Sequence, residues 1–320
     1  MKMRRRDMST VVFVKVDNDE KIDIISEKAN IIWHEYFPGI ISVEQIDYMV
    51  DMFLAPHSIR REMKEGYEFY LQYKGDENIG FIVVKPEKDR LFISKLYVDK
   101  EHRGQGYGNY MFEKAQEICV SNNLKSMYLT VNKYNTPSIE VYKSKGFKII
   151  QEVETDIGHG FVMDDYVMEK KLSKKEIAMS YFKLGYNCSQ SVVLAFADEM
   201  KMDSKDLARL ASSFGGGLGR MREVCGAVSG MAMVAGMLYG YDNPEEYDKK
   251  AELYSRIQEL AGRFKEKEGS IICREMLGLD GVSKPIPEKR TDSYYQKRPC
   301  VQLVGDAAEI LDRYINLLDK

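Results

Sequence analysis

Two hydrophobic rhythms divide the chain. Up to about Leu172, segments with apolar residues every three or four positions alternate with segments in which they recur every second position, whereas from Ser173 onward only the first rhythm persists. EKIDIISEKANIIWHEYF and SVEQIDYMVDMFL read as amphipathic helices, and YEFYLQY, NIGFIVV and RLFISKLYV as three strands separated by the turns KGDE and KPEKD. A polar loop, VDKEHRGQGYG, then opens a helix whose Met111, Ala115, Ile118 and Cys119 share one face. SMYLTVN is another strand, and NTPSIEVYKSKGF a short helix with an Asn/Thr cap, Pro137 in its first turn and Gly146 at its end. FKIIQEVET and FVMDDYVMEKKL complete the pattern as a strand pair.

From Ser173 onward this helical rhythm predicts helices over KKEIAMSYFKLG, CSQSVVLAFADEM, KDLARLASSFG, EEYDKKAELYSRIQELAGRFKEKEG and GDAAEILDRYINLLD, with a glycine-rich helix from Val224 to Tyr239. KPIPEKRTDSYYQKRP is the one long polar loop, and no internal repeat is visible. The chain thus divides into a mixed α/β domain, residues 1–172, and an all-α helical bundle, residues 173–320.

Composition narrows the partners. A hydrophobic share of 44% and a charged share of 30% describe a folded protein, and a net charge of -3 offers no basic footprint for nucleic acid. The apolar run Val11 to Val14 after the basic start is too short for a signal-peptide core, and the run Val224 to Gly240 is just short of a bilayer span. A cytoplasmic chain with no membrane or nucleic-acid partner is expected. Five cysteines in that compartment argue for free thiols, a metal or redox chemistry rather than a disulfide framework.

The glycine loop carries the sharpest signal. It follows a strand and opens a helix, so backbone N–H groups and the positive end of the helix dipole converge there on an anion. Gly104, Gly106 and Gly108 are spaced wrongly for the dinucleotide fingerprint, and no Gly-Lys-Ser/Thr closes a P-loop. Arg103, Gly106 and Gly108 do fit the Arg/Gln-x-x-Gly-x-Gly/Ala loop, and together with NTPSIEVYKSKGF the segment from about 9 to 172 resembles the GNAT acetyltransferases. The resemblance implies a splayed central sheet flanked by helices and an acetyl-CoA site. The N–H groups of Arg103, Gly104, Gln105, Gly106, Tyr107 and Gly108 would hold the pyrophosphate. Tyr97 and Val98 would meet the pantetheine arm between the splayed strands RLFISKLYV and SMYLTVN, and Asn135 the arm or the acyl end. Tyr142 is the expected acid for the leaving thiolate, although a tyrosine on an amphipathic helix is otherwise a packed residue. Where many members carry a Glu, this chain has Phe92, Ile93, Ser94 and Lys95. The base is therefore open, with His34 and His159 the candidates by chemistry; Asp164 and Asp165, beside the second, would attract a cationic amine and read otherwise as a solvated hairpin pair.

Cys119 reads as core, whereas Cys188, Cys225, Cys273 and Cys300 each stand at the start of a predicted helix, a setting that favours the thiolate. No CxxC links them, so zinc is weakly supported. Residues 176–315 resemble a bacterial family of redox proteins named for its C, GCAxxG, C, C pattern, although VCGAVSG here has Cys and Gly in the reverse order. That resemblance implies redox or metal chemistry at the four thiols. The leading expectation is an N-acetyltransferase for a primary amine, small molecule or peptide, joined to this helical region. The alternatives are a thiol redox or metal protein whose first half only binds acyl-CoA, and a helical half with inert thiols that gates substrate or builds a homo-oligomer.

Overall fold

The strands β1 (Val11–Lys15), β2 (Glu68–Lys74), β3 (Glu77–Pro86), β4 (Leu91–Val98), β5 (Ser126–Asn132), β6 (Lys148–Gly158) and β7 (Phe161–Lys171) make one sheet of order β1-β2-β3-β4-β5-β7-β6. This is a computed structural model, and it describes residues 11–318. The basic cluster at the start of the chain lies outside the described residues. Every neighbouring pair is antiparallel except β4 with β5, which is parallel. On one face lie α1 (Asp19–Tyr36), α2 (Val43–Leu54) and α3 (Pro56–Lys64), whose Ile25, Ala29, Ile46 and Ile59 are fully buried against Phe69 and Phe81 of the sheet. The other face takes α4 (Tyr107–Ser121): Gln72, which alternates with the core residue Leu71, donates its Nε2 to the Tyr107 carbonyl at 3.0 Å. A short α5 (Thr136–Ser144) links β5 to β6.

Two of these elements were not expected from the pattern. The run at Val11 is an edge strand, and α3 follows Pro56 at its first turn. Five residues give too few alternations to announce a strand, and PHSIRREMK is too polar to announce a packed helix.

The chain divides into two compact units between Lys171 and Leu172. The second contains α6 (Lys174–Lys183), α7 (Cys188–Ala195), α8 (Ala197–Met200), α9 (Ser204–Leu210), α10 (Gly226–Tyr239), α11 (Tyr247–Glu268), α12 (Cys273–Leu277), α13 (Asp292–Lys297) and α14 (Cys300–Leu318). Here α13 interrupts the stretch read as a loop. Helix α10 is the buried glycine-rich helix: a Cβ at Gly226 would sit 2.8 Å from the Phe214 carbonyl and one at Gly230 3.0 Å from that of Ser189, so the two glycines let α7 approach. No helix among the described residues is long and apolar enough to cross a membrane.

One ion cluster ties three helices of this unit together. Asp306 on α14 is 1% exposed and receives Lys175 of α6 at 2.7 Å, Lys267 of α11 at 2.6 Å and Gln302 at 2.7 Å. Burial alone would raise its pKa, but these donors hold the carboxyl well below the usual carboxylate range. The stabilisation is present above the ordinary carboxylate pKa and is lost as pH falls toward the depressed one. Asp306→Asn is expected to lower the stability of this unit by about 2–3 kcal/mol, less than for a fully buried pair because both lysines reach solvent. Urea unfolding at pH 7 measures it, with a smaller difference at pH 3.

Candidate functional site

The cleft of the first unit begins with a fault in β4. Opposite β3, Val83 pairs with Lys95 but Val84 pairs with Ile93, so Ser94 is the extra residue of a bulge. A bulge bends its strand and increases the local twist. Consistent with that, the β4–β5 ladder holds only at Leu91↔Met127 and Phe92↔Tyr128, after which the two strands part. The bulge also changes which side chains face which way. Lys95 and Tyr97, opposite Val83 and Phe81, join the face covered by α1 to α3. Lys95 is buried there and pairs with Glu62 of α3 at 2.8 Å, which leaves it a structural cation. Burial pulls its pKa down, and Glu62 works against that.

At the open end of the V the glycine loop turns through a 3-10 segment, Lys100–His102, into α4. Gly104 and Gly106 have φ of 71° and 95°, values that glycine alone adopts without strain; Gly108 is already helical and has open space where a Cβ would go. The Arg103 N–H is spent on the Lys100 carbonyl at 3.2 Å, which removes it from the expected anion donors. No backbone acceptor among the described residues takes the N–H of Gly104, Gln105, Gly106, Tyr107 or Gly108. These five remain. The side chains turn elsewhere: Gln105 donates to the Glu101 carbonyl at 2.6 Å, and the Tyr107 ring is buried.

Residues 33–37, WHEYF, close the cleft from above. The Arg103 guanidinium forks onto Glu35 at 3.0 and 3.2 Å while its Nε donates to the Val98 carbonyl at 2.8 Å. The Tyr36 hydroxyl donates to Asn135 Oδ1 at 3.0 Å, and that same oxygen caps α5 by accepting from the Ser138 N–H at 3.4 Å. Asn135 is thus an anchor through its oxygen. Trp33 and Phe37 pack on Tyr97 with ring centroids 6.2 and 6.4 Å away. Sequence reading missed Glu35 and Tyr36, for which proximity to the predicted helix end was the only signal.

Tyr142 and Asp165 both bear electrostatically on Tyr97. Each contributes to raising the Tyr97 hydroxyl's pKa, after the larger effect of burial. The Tyr142 ring packs between Phe112 and Phe147, its hydroxyl has no hydrogen-bond partner among the described residues, and burial pushes its pKa up to about 12. Asp165 is 5% exposed, and burial, reinforced by Asp164, raises its pKa to about 6. The aspartates are therefore not a solvated hairpin pair. Neighbours on β7 face opposite ways: Asp164 reaches Lys133 at 2.5 Å, while Asp165, opposite Asn132 of β5, lies under cover. The two histidines are elsewhere. His34 spends Nδ1 on the Asn30 carbonyl at 2.9 Å and Nε2 on Asp47 at 2.8 Å, contacts that raise its pKa and favour an imidazolium with no lone pair to offer. His159 is exposed in the β6–β7 turn with φ of 54°, against the Tyr48 ring.

In the second unit the four cysteines stand at helix starts. Cys188, Cys273 and Cys300 are the first residues of α7, α12 and α14, and Cys225 caps α10. The loop between α9 and α10 bends around them in a left-handed turn, Gly216, Gly217, Leu218, Gly219 and Arg220 all having φ between 56° and 70°, with Arg222 at 65°. The three non-glycine residues each cost about 1 kcal/mol in that conformation. Arg222 is 3% exposed; its Nε donates to Ser283 Oγ at 2.8 Å, one terminal nitrogen lies 3.8 Å from Cys273 Sγ, and the other has no partner among the described residues. The pKa of Cys188 is lowered, first by the Cys300 thiol and then by the Gly216 N–H and the Arg290 charge, while Cys225, Cys273 and Cys300 are raised. Cys119 is core as expected, its pKa raised to about 12 by burial. Among the described residues no group of three or more His, Cys, Asp or Glu is disposed to hold a metal ion.

Two family models match the chain. Residues 29–147 match the "Acetyltransferase (GNAT) family" and residues 186–314 match "Putative redox-active protein (C_GCAxxG_C_C)". The chain is 26% identical over 84 residues to the thialysine N-epsilon-acetyltransferase of Sus scrofa, 26% of this chain and 48% of that one. It is 31% identical over 81 residues to the peptidyl-lysine N-acetyltransferase YjaB of Salmonella typhimurium, 25% of this chain and 50% of that one. It thus spans about half the length of these relatives. A solved structure, the PaiA N-acetyltransferase of Thermoplasma acidophilum in complex with coenzyme A, is 22% identical with a TM-score of 0.43 over 51% of this chain and 99% of that one.

The burial of Asp165 has a direct readout. Carboxyl carbon NMR is expected to find one aspartate with a midpoint near 6. Asp164→Asn is expected to lower it, because a neighbouring negative charge is removed.

Proposed function

We propose, on the premise that the chain joins a GNAT acetyltransferase region, residues 29–147, to a C_GCAxxG_C_C region, residues 186–314, that the first unit transfers an acetyl group from acetyl-CoA to a primary amine and the second carries thiol redox chemistry. The observation that carries the first half is the set of five unclaimed N–H groups from Gly104 to Gly108 at the open end of the β4–β5 V. Those groups suit a pyrophosphate, since convergent amides at a helix start bind anions without a cation in the site. Between the parted strands, the β4 edge beyond Phe92 is free to pair with an amide-bearing arm, and Tyr97 and Val98 lie on that edge. The Asn135 amide nitrogen, which makes no hydrogen bond among the described residues, faces the same task. Acetyl-CoA, when bound, supplies a thioester as the acyl donor.

The chain's own residues then have two proton tasks. A protonated amine cannot attack a carbonyl, and Asp165, ionised above about pH 6, removes its proton directly or through one water. Tyr142, with its pKa pushed up to about 12, stays protonated at neutral pH and gives its proton to the departing sulfur. A carboxyl raised and a phenol raised still further keep the base empty and the acid loaded at the same pH. The relatives named for thialysine and peptidyl-lysine support an amine at the end of an aliphatic chain as acceptor, in a small molecule or a peptide.

Calorimetry with acetyl-CoA tests the binding half. Wild type is expected to bind and Gly106→Glu to lose binding, since the substitution puts a side chain on a positive-φ residue and a negative charge among the anion donors. No binding by wild type would sink the proposal.

Turnover tests the proton tasks. Tyr142→Phe is expected to cut kcat about 100-fold with the acetyl-CoA Kd unchanged. Below about pH 6, wild-type kcat/KM is expected to fall about tenfold per pH unit as Asp165 protonates, and Asp165→Asn to remove that limb along with most of the rate.

A further inference from the structure

The two ends of a side-chain amide have nearly the same shape and opposite hydrogen-bonding sense, so its surroundings decide which end a ligand meets. Asn135 is 5% exposed at the head of α5. One end of its amide receives both the Ser138 backbone N–H at 3.4 Å and the Tyr36 hydroxyl at 3.0 Å. A backbone N–H only donates, so that end is the oxygen, and its lone pairs are both taken. The Ser138 hydroxyl, 3.3 Å from the Tyr36 oxygen, is placed to donate to it, which leaves the Tyr36 proton for Asn135. The Asn135 Nδ2 group makes no hydrogen bond among the described residues.

Tyr36 is itself held in place. It ends α1, its ring lies 5.1 Å from the Arg103 guanidinium carbon, and it meets the Phe37 ring edge-on at 5.2 Å. Arg103 is fixed in turn by Glu35 and the Val98 carbonyl. The bond from Ser138 is the ordinary bond of a helix cap, made within α5 and its preceding residue. The bond from Tyr36 is different: it arrives from another helix, and the cap does not require it. What it adds is a fixed direction for the amide.

We propose that Tyr36 is a positioning residue that locks the Asn135 amide by its oxygen, so that Nδ2–H is the end presented to a carbonyl oxygen of acetyl-CoA. The inference rests on the acetyl-CoA reading of the first unit and deepens it. Without the phenol proton, only the longer Ser138 bond opposes a flip of the amide. A flipped amide sets Oδ1 against the ligand's carbonyl, two acceptors with no proton between them. Tyr36 makes and breaks no bond in the reaction, and it acts on the ligand through Asn135 alone.

Calorimetry with acetyl-CoA on the full-length chain tests this. Tyr36→Phe removes only the hydroxyl and is expected to weaken binding about tenfold. Asn135→Asp keeps the cap and the Tyr36 contact but puts an oxygen at both ends of the side chain, and is expected to weaken binding at least as much. Orientation no longer matters in that background. Adding Tyr36→Phe to Asn135→Asp is therefore expected to leave Kd within about twofold of Asn135→Asp alone. A tyrosine that only supports the fold would cost the same factor in both backgrounds, and that result overturns the proposal, as does a Tyr36→Phe Kd equal to that of wild type. Nitrogen-15 NMR of wild type decides the matter even where a variant fails to fold: the Asn135 side-chain NH₂ pair, assigned through its own backbone, is expected to shift when acetyl-CoA binds, and a pair that stays put overturns the proposal. No binding by wild type overturns the acetyl-CoA reading with it.

Discussion

The chemistry of the first unit depends on where β4 stops pairing with β5. A parallel ladder continued to Val98 would close the sheet and leave no edge for an extended arm. The Ser94 bulge prevents that by bending β4 after two paired residues. The same extra residue moves Lys95 and Tyr97 to the face under α1 to α3, so one local irregularity opens the cleft and supplies the aromatic floor on which Trp33 and Phe37 pack. The carboxylate that many GNAT members carry on this strand is absent here. Lys95 is sunk against Glu62, and Asp165 approaches the mouth from β7 on the far side of β5.

Burial is what gives Tyr142 and Asp165 their unusual acidities. The contacts of residues 33–37 reach the glycine loop through Glu35, the start of α5 through Tyr36 and the floor through Trp33, so one helix end holds three parts of the site in register. Excluding water in this way penalises both charged forms. For a carboxyl that means a shift toward neutral pH, and for a phenol a shift further above it. Burial, reinforced by Asp164 at the carboxyl, thus holds the two groups' acidities apart, as the proposed base and acid would need.

Much of this was legible in the pattern of residues. The alternation of helix and strand periods, the boundary near Leu172, the glycine loop and the four cysteines at helix starts all have local signatures, and local signatures survive without knowledge of the fold. The bulge does not, because LFISKLYV reads as an ordinary strand and only its partner reveals the extra residue. Asp164 and Asp165 show the same limit. The sequence has two adjacent carboxylates, and only the register of β7 between β5 and β6 decides which is buried. His34 failed as a base for a related reason, since Asn30 is on its own helix but Asp47 comes from the next.

Both units assemble their sites from the same materials: glycines at positive φ, N–H groups at helix starts and nearby arginines. They spend them differently. In the first, Arg103 is consumed in holding Glu35 and the Val98 carbonyl, and the amides of the loop are left open, so the site has donors and no resident nucleophile. In the second, the Gly216 amide and the Arg290 charge help lower the pKa of Cys188, and three non-glycine residues of that loop are held at positive φ. Open amides wait for an anion carried in by a ligand, whereas amides aimed at a thiol stabilise an anion the protein makes itself. The left-handed turn carries a backbone cost at Leu218, Arg220 and Arg222 that the glycine loop of the first unit, with glycines at its positive-φ positions, avoids.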